Sequence, residues 1–424
     1  MATEPPRTQK MELWLADLVC PVDGPPIRRG ALLTSSGRVL AVGEEAFVRP
    51  AEPAAEERDF GRAILIPGLV NAHTHLELSG VKRKPGPMEE WIVSLVREMR
   101  DWPAHLFLAS AQIGVAASLA AGVTCVGDVS TSGESATAIA GAGMRGVVFH
   151  EVLGLDPARA DEILAAKLEA CDLFPEYKGL IPNAVRHGLS PHAPYSASLA
   201  LYRAAAEEAR ARGWPVATHL GESMEEVEFL QDGGGALARV HRALNGALDG
   251  YKPSGLRPVA HLDLADALGG LALAVHANQT NAEDWTLLRK NGVRVCLCPR
   301  SAGFFDHPFA DAARMREAGL DLCLGTDSLA SSPSLSLLDE ARALREHDAE
   351  ITDAELLEMC TRAGAEALGF EEIGVLKPGG AADFCVVCPP RGVGDLHLGD
   401  VFEADAFVVC TVTNGEVRYE APSA

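Results

Sequence analysis

Between residues 64 and 327 the chain alternates short, nearly unbroken apolar runs with longer stretches whose apolar residues recur every three or four positions. Eight such runs stand out, at 64–70, 123–129, 146–152, 184–189, 215–220, 271–276, 293–297 and 321–325. Apolar runs without polar alternation predict parallel strands covered on both faces. The stretches 88–100, 157–173, 198–212, 282–291 and 310–318 predict helices, and several start after Ser, Pro or Asn and stop near Gly. Eight strand-helix units predict an α/β fold, a (β/α)8 TIM-like barrel with its chemistry at the carboxyl ends of the strands.

The ends read differently. Residues 11–60 contain ALLTSSGRVLAVG, two apolar runs about a Ser-Ser-Gly turn, and residues 375–420 contain FVVCTVTNGEVRYE, with Asn414-Gly415 as a hairpin signal. Both termini are expected to build one small β-sandwich module, from 1–63 and 373–424, beside a barrel over 64–372. Two further helices are expected in 333–370 and an exposed loop at 50–57. The connection 222–269 is longer than an ordinary strand-helix-strand link, which marks a lid, a substrate loop or a surface excursion without a role.

Composition narrows the partners. A formal charge of −22 over 424 residues argues against nucleic acid or an anionic membrane, because either would be repelled over most of the surface. The uncharged run 106–127 is long enough to span a bilayer, but Gln112 and the Ala121-Gly122 break predict a buried helix followed by a strand. The start, MATEPPRTQK, lacks a basic segment followed by an apolar core, so a cytoplasmic protein is expected. Ten scattered cysteines then predict reduced, buried thiols, and the pairs Cys385/Cys388 and Cys296/Cys298 are read as core packing.

Candidate chemistry lies at the strand ends. His73 and His75 close the first run, and residues two apart on an extended segment point the same way, toward one ion. A lone His-x-His is more often a polar patch. Here His219 and Glu222, His276 and Asp327 close later runs, and nitrogen and oxygen ligands around an open position are what hydrolytic zinc requires. Iron or manganese suits the same ligand types.

With these residues in place, the ordered segments PGLVNAHTHLELS, SPHAPYS, THLGES, VHAN, CPRS, GTDS and LKPGGAADF resemble the amidohydrolase superfamily over nearly the whole chain. HAPYS with H-x-x-E and CPRS is most similar to its branch of aminodeoxyfutalosine and S-adenosylhomocysteine deaminases and chlorohydrolases. The resemblance implies that His73, His75, His219 and Asp327 bind one divalent ion, with His276 near the bound water. No lysine occurs in AVRHGLSPH, where two-metal relatives carry one, so a single ion is expected. It further implies substrate contacts from His192 and Ser331. Trp91 either covers a planar ring or is a core aromatic. Relatives usually follow CPRS with Asn, and Ala302 here removes that hydrogen-bonding side chain, which bears on the substrate.

The expected chemistry follows. A bound ion lowers the pKa of its water toward neutrality, and Asp327 can take the proton. Attack on an aminated ring also requires a proton for a ring nitrogen and for the departing amine, and Glu222 is the candidate shuttle. Its alternative is a first-turn helix glutamate. His150, His187 and His261 are read as structural polar groups. The expectation is a hydrolase that deaminates an adenine-bearing nucleoside such as aminodeoxyfutalosine or adenosylhomocysteine. The alternatives are a chlorohydrolase or cyclic-amide hydrolase on the same site and, remotely, a non-catalytic metal-binding scaffold. Homodimers are common among such barrels in the family.

Overall fold

The computed structural model describes residues 11–49, 55–172, 181, 184–246, 248, 251–390, 392 and 394–422. Residues 1–10, read above for a secretory segment, lie outside these, as does most of the expected loop at 50–57, whose end belongs to the strand Ala55–Asp59.

Eight parallel strands form two sheets of four. The first runs Leu69–Thr74, Val123–Ser130, Arg145–Val152 and Val185–Pro191, and the second Ala217–Leu220, Leu273–His276, Arg294–Leu297 and Leu322–Leu324, each in chain order. Continuous pairing stops at four strands in each. Single parallel bridges, Leu189 to Val216 and Thr74 to Asp327, lie at the two seams between the sheets.

Side-chain alternation sorts the strand residues into two cores, as a period of two requires. Val70, Cys125, Val147, Ala217, Val275, Cys296 and Cys323 pack into one cluster fed by every parallel strand except Val185–Pro191. Their sequence neighbours Leu69, Val126, Val148, Ala274, Val295 and Leu322 pack into a second, larger cluster with helix residues. In the exception, Gly188 leaves room for Phe149, since a Cβ there would lie 2.6 Å from its ring.

The apolar run 64–70 is corrected: it is two strands, not one. Ile64–Pro67 pairs antiparallel with Phe384–Cys388, whereas Leu69–Thr74 pairs parallel with Val123–Ser130. Gly68 is the break, and a Cβ there would lie 2.2 Å from Thr124 Oγ1. Both halves are fully buried, so hydrophobicity alone does not mark the hinge.

The termini also differ from the expected sandwich. They form one mixed eight-stranded sheet in the order Glu416–Glu420, Phe407–Thr413, Phe384–Cys388, Ile64–Pro67, Met11–Val19, Ile27–Ser35 and Arg38–Glu44, with Ala55–Asp59 beside Met11–Val19. The nine-residue strand Met11–Val19 is long enough to pair its first half with Ala55–Asp59 and its end with Ile64–Pro67, so the sheet branches instead of splitting in two. Trp14 anchors its core, edge-on to Phe384 at 4.9 Å, with its indole N–H donated to Thr34 Oγ1 at 3.0 Å. Asn414 and Gly415 take φ of 53° and 77°, the left-handed pair the hairpin signal called for. A buried ion pair, Arg145 Nε to Asp383 Oδ2 at 2.6 Å, ties this sheet to the parallel strands.

The helix Ala104–Ala120 precedes the strand Val123–Ser130, so the uncharged run is a helix and a strand, and among the described residues no helix is long and apolar enough to cross a membrane. The region 333–370 holds three helices rather than two, Leu337–His347, Asp353–Met359 and Arg362–Ala367, the last two divided at Thr361, which leaves helical geometry at φ −134°. The connection 222–269 carries the helices Met224–Asp232, Gly235–Asn245 and Pro258–Asp263, and the first two pack with Met88, Trp91, Tyr195 and Phe305. All ten cysteines are free thiols.

Candidate active site

The carboxyl ends of the parallel strands gather the histidines. His73 lies in Leu69–Thr74 and His75 just beyond it, His219 lies in Ala217–Leu220, His276 ends Leu273–His276, and Asp327 follows Leu322–Leu324. Two of these residues hold backbone conformations that L-residues avoid: His276 has φ 74° and Asp327 φ 55°. Each costs roughly 1–3 kcal/mol and persists only where surrounding contacts fix it. Asp327 is fixed through its N–H to His73 O at 3.2 Å and through Thr74 Oγ1, which donates to its carbonyl at 2.8 Å. Gly325 admits this close approach, since a Cβ there would lie 2.8 Å from His73 Cβ.

Several lone pairs converge on one point. His75 Nε2 and His219 Nε2 are 3.2 Å apart, and Asp327 Oδ1 lies 3.6 Å from His75 Nε2 and 3.8 Å from His73 Nε2. His73 Nε2 is buried and has no hydrogen-bond partner. The ligand atoms of His73, His75 and Asp327 lie within 4.8 Å of one another, as do those of His73, His219 and His276. Surrounding groups orient this set. His219 Nδ1 donates to His192 O at 2.8 Å, which leaves its Nε2 as the lone-pair nitrogen. Ser301 Oγ at 2.6 Å and Ser331 Oγ at 2.8 Å both donate to Asp327 Oδ2, leaving Oδ1 toward the imidazoles. An orphaned buried nitrogen beside further imidazole nitrogens and a carboxylate fits a divalent cation.

The electrostatics agree with that chemistry. Burial, followed by the His73 ring, pushes His75 down to about 3, and burial with its imidazole neighbours pushes His219 well below the usual range, so both stay neutral. Burial works against ionised Asp327, but the His73, His75 and His276 rings override it and hold the carboxyl well below the usual range. Burial likewise works against a charged His276, and the Glu222 carboxylate with Cys298 and Asp327 lifts the ring to about 10.

Glu222 lies outside the helix that follows it. Ser223 is the cap of Met224–Asp232, accepting from Glu226 N, and the first-turn acids are Glu225 and Glu226. Glu222 Oε1 is 3.8 Å from His276 Nε2, so it stands beside the imidazole set and not on a helix face. His192 is half-buried, its ring 4.8 Å from that of His219. Trp91 donates its indole N–H to Ala330 O at 3.0 Å and meets the Phe305 ring edge-on at 5.3 Å. Ser331, expected at the substrate, is fully buried and spends its hydroxyl on Asp327, behind the carboxylate. Ala302 is buried one residue beyond Ser301.

Three supporting carboxylates and a hydroxyl escaped the sequence reading. Ser301 was visible only as part of CPRS. Glu226 accepts the Glu222 N–H at 2.9 Å, and burial pushes it up to about 8. Glu77, two residues after His75, accepts from Ser130 Oγ at 2.5 Å, Ser132 Oγ at 2.6 Å and two backbone N–H groups, fastening the loop that carries His75 to the next strand end. Glu151 stands beside His192, with Oε1 3.9 Å from its Nε2.

The amidohydrolase family profile matches residues 64–418, and the chain belongs to that family. The aminodeoxyfutalosine deaminase of Deinococcus radiodurans is 30% identical over 353 residues, 80% of this chain and 81% of the relative. An adenosine deaminase structure from Xanthomonas campestris with bound zinc superposes with a TM-score of 0.81 at 24% identity, over 97% of this chain and 94% of the other. The atrazine chlorohydrolase of Arthrobacter aurescens, complexed with zinc, superposes with a TM-score of 0.79 at 20% identity, over 97% of both chains. The fold is therefore the TIM-like α/β architecture of this family, and the chain carries its His-rich set at the carboxyl ends of the parallel strands.

Proposed function

We propose that this chain is a single-metal hydrolytic deaminase of an adenine-bearing nucleoside, with aminodeoxyfutalosine and adenosylhomocysteine the leading candidates. The observation that carries this reading is Glu222, a buried carboxyl just past a strand end and 3.8 Å from His276 Nε2, beside a cluster whose convergent lone pairs suit one cation. In this reading His73, His75, His219 and Asp327 hold the ion, zinc first among the candidates, within a (β/α)8 barrel that starts at the strand Leu69–Thr74 and is flanked by the module of both termini. The ion supplies a water acidic enough to attack at neutral pH.

The side chains do the rest. Asp327 Oδ1 takes the proton of the attacking water, its other oxygen being held by Ser301 and Ser331. His276 donates a hydrogen bond to the attacking oxygen. Glu222 gives a proton to the ring nitrogen next to the reacting carbon, so the ring accepts electrons, then takes the remaining proton of the attacking oxygen and passes it to the amine, which leaves as ammonia, and the proton held by Asp327 restores Glu222. Tyr195 and Phe305 are buried in the helical cap, with the half-buried Trp91 packed against them. Ser331 acts through Asp327 rather than on substrate.

A second reading, loss of chloride from a ring, is favoured by the likeness to a chlorohydrolase fold. Chloride needs no proton to depart, so a proton-shuttling carboxyl is more useful to a deaminase. The test is ammonia release by zinc-loaded protein from aminodeoxyfutalosine, adenosylhomocysteine, methylthioadenosine and adenosine, with Glu222→Gln as control. Ammonia from one of them, lost in the control, supports the deaminase. Chloride release from a chlorotriazine without ammonia from any nucleoside replaces it with the second reading.

A further inference from the structure

We infer that Glu226 and Asn278 are positioning residues for Glu222: they hold its backbone at both the N–H and the carbonyl, and so keep its carboxyl beside His276, where a proton shuttle must stand. This rests on the deaminase reading above.

The helix start carries the argument. Ser223-Met224-Glu225-Glu226 has the spacing of a capping box, in which the glutamate three residues past the cap accepts the cap's own N–H. Elsewhere in the molecule the box closes in that way: Glu355 accepts the Thr352 N–H at 2.8 Å, and Asp284 accepts the Asn281 N–H at 3.1 Å. At Met224–Asp232 only half of it forms. Ser223 Oγ accepts from Glu226 N at 3.2 Å, but Glu226 Oε2 passes over the cap and accepts the N–H of Glu222 at 2.9 Å. Exposure separates the two glutamates further. Glu355 keeps 42% of its side chain in solvent and pairs with Arg316, whereas Glu226 is fully buried, and no lysine or arginine pairs with it among the described residues. Burying a carboxyl costs free energy that capping a helix does not require.

The carbonyl side of Glu222 is held by the loop that follows His276. Asn278 Nδ2 donates to Glu222 O at 3.1 Å, Gln279 N to Gly221 O at 2.7 Å and Ala277 N to Leu220 O at 3.1 Å. These bonds extend the pairing of Ala217–Leu220 with Leu273–His276 beyond both strands, and the register of Leu220 opposite His276 brings Glu222 alongside the imidazole. Gly221 makes the turn between them at φ 64°, a conformation that glycine adopts without strain. With N–H and carbonyl both tied, only side-chain torsions remain to place Glu222 Oε1, which stands 3.8 Å from His276 Nε2.

The experiment measures kcat, KM, metal content and melting temperature of zinc-loaded protein with the best substrate of the nucleoside panel, comparing wild type with Glu226→Leu, Glu226→Gln, Asn278→Ala and Ser223→Ala. Misplacing a reacting group by about 1 Å costs about 100-fold, so Glu226→Leu is expected to lower kcat by about 10- to 100-fold with KM and metal content nearly unchanged. Glutamine keeps a carbonyl oxygen that accepts the same N–H, so Glu226→Gln restores most of the rate. Asn278→Ala shows a smaller fall in kcat. Ser223→Ala removes the helix cap alone, and lowers the melting temperature with kcat near that of wild type. Unchanged kcat in Glu226→Leu, equal losses in the Leu and Gln variants, or an equal loss in Ser223→Ala overturns the positioning role and leaves the deaminase reading standing. If Glu226→Leu does not fold, Asn278→Ala decides, and an unchanged kcat there overturns the inference. No ammonia from any nucleoside with wild type overturns both.

Discussion

Two pairs of histidines in this molecule bring ring nitrogens into contact, and only one of them is suited to hold a metal. His75 and His219 approach at 3.2 Å between Nε2 atoms with rings nearly parallel at 7°, and His150 Nε2 lies 2.8 Å from His187 Nδ1 with rings at 20°. By distance alone the second pair is the tighter. The surroundings differ. The first pair stands at strand ends with the Asp327 carboxylate 3.6 Å from His75 and an orphaned His73 nitrogen beside it. The second sits within its strands, on the face of Val148, Val152 and Leu189 that packs toward the helices, where the cation Lys167 acts on His150, and Asp172 and then Arg212 act in opposite senses on His187. A hydrogen-bonded pair uses one ring's lone pair to accept the other's N–H, whereas a metal cluster needs every lone pair free and a negative charge to balance the ion.

The comparison breaks most sharply under ligand removal. Asp327→Asn or His219→Ala is expected to lower bound metal well below one per chain and cut kcat by more than the roughly 100-fold that a supporting residue costs, while His150→Gln retains the metal. Metal content by atomic emission alongside ammonia release checks this, and metal loss in the His150 variant would remove the distinction. Glu222→Gln separates holding from proton transfer. It should keep its metal and lose about 10²–10⁴-fold in kcat.

Ser331→Ala sharpens the role of the groups behind the cluster. Freeing one oxygen of Asp327 should cost about 10- to 100-fold in metal affinity with KM nearly unchanged, and a rise in KM alone would return Ser331 to the substrate. The smallest effect belongs to the second pair. Burial, then His187 and Lys167, depress His150 to about 3, so the folded protein keeps it neutral while the unfolded chain takes up a proton near 6.5. Its contribution is therefore full above about pH 6.5 and is lost as pH falls toward 3. Melting temperatures across that window should fall more steeply in wild type than in His150→Gln, and matching slopes would show that the pair does not titrate this way.

Much of this was legible in the chain. Parallel strands covered on both faces must be apolar throughout, so seven of the eight runs appear within a few residues of their observed limits. The candidate ligands were legible because strand ends are local features and His, Asp and Glu there are uncommon in buried segments. The misreadings share a cause. Pro67-Gly68 divides one apolar run between two sheets because Ile64–Pro67 pairs with a strand some three hundred positions away, and the terminal sheet branches at Met11–Val19 because two separate later strands pair with it. Ser331 was placed at the substrate by resemblance to related deaminases, and a motif match does not say which way a hydroxyl turns.

By itself, then, the sequence determined the number and order of the parallel strands and which residue types cap them, since hydrophobic periodicity and turn chemistry act over a few neighbours. Only the tertiary structure decided that His75 meets His219 across 144 residues, that Asp327 is held at φ 55° by His73 and Thr74, and that Glu151 faces His192. Those choices depend on which strand ends meet at one face and on which lone pairs remain unspent there, and both are settled by packing between distant segments.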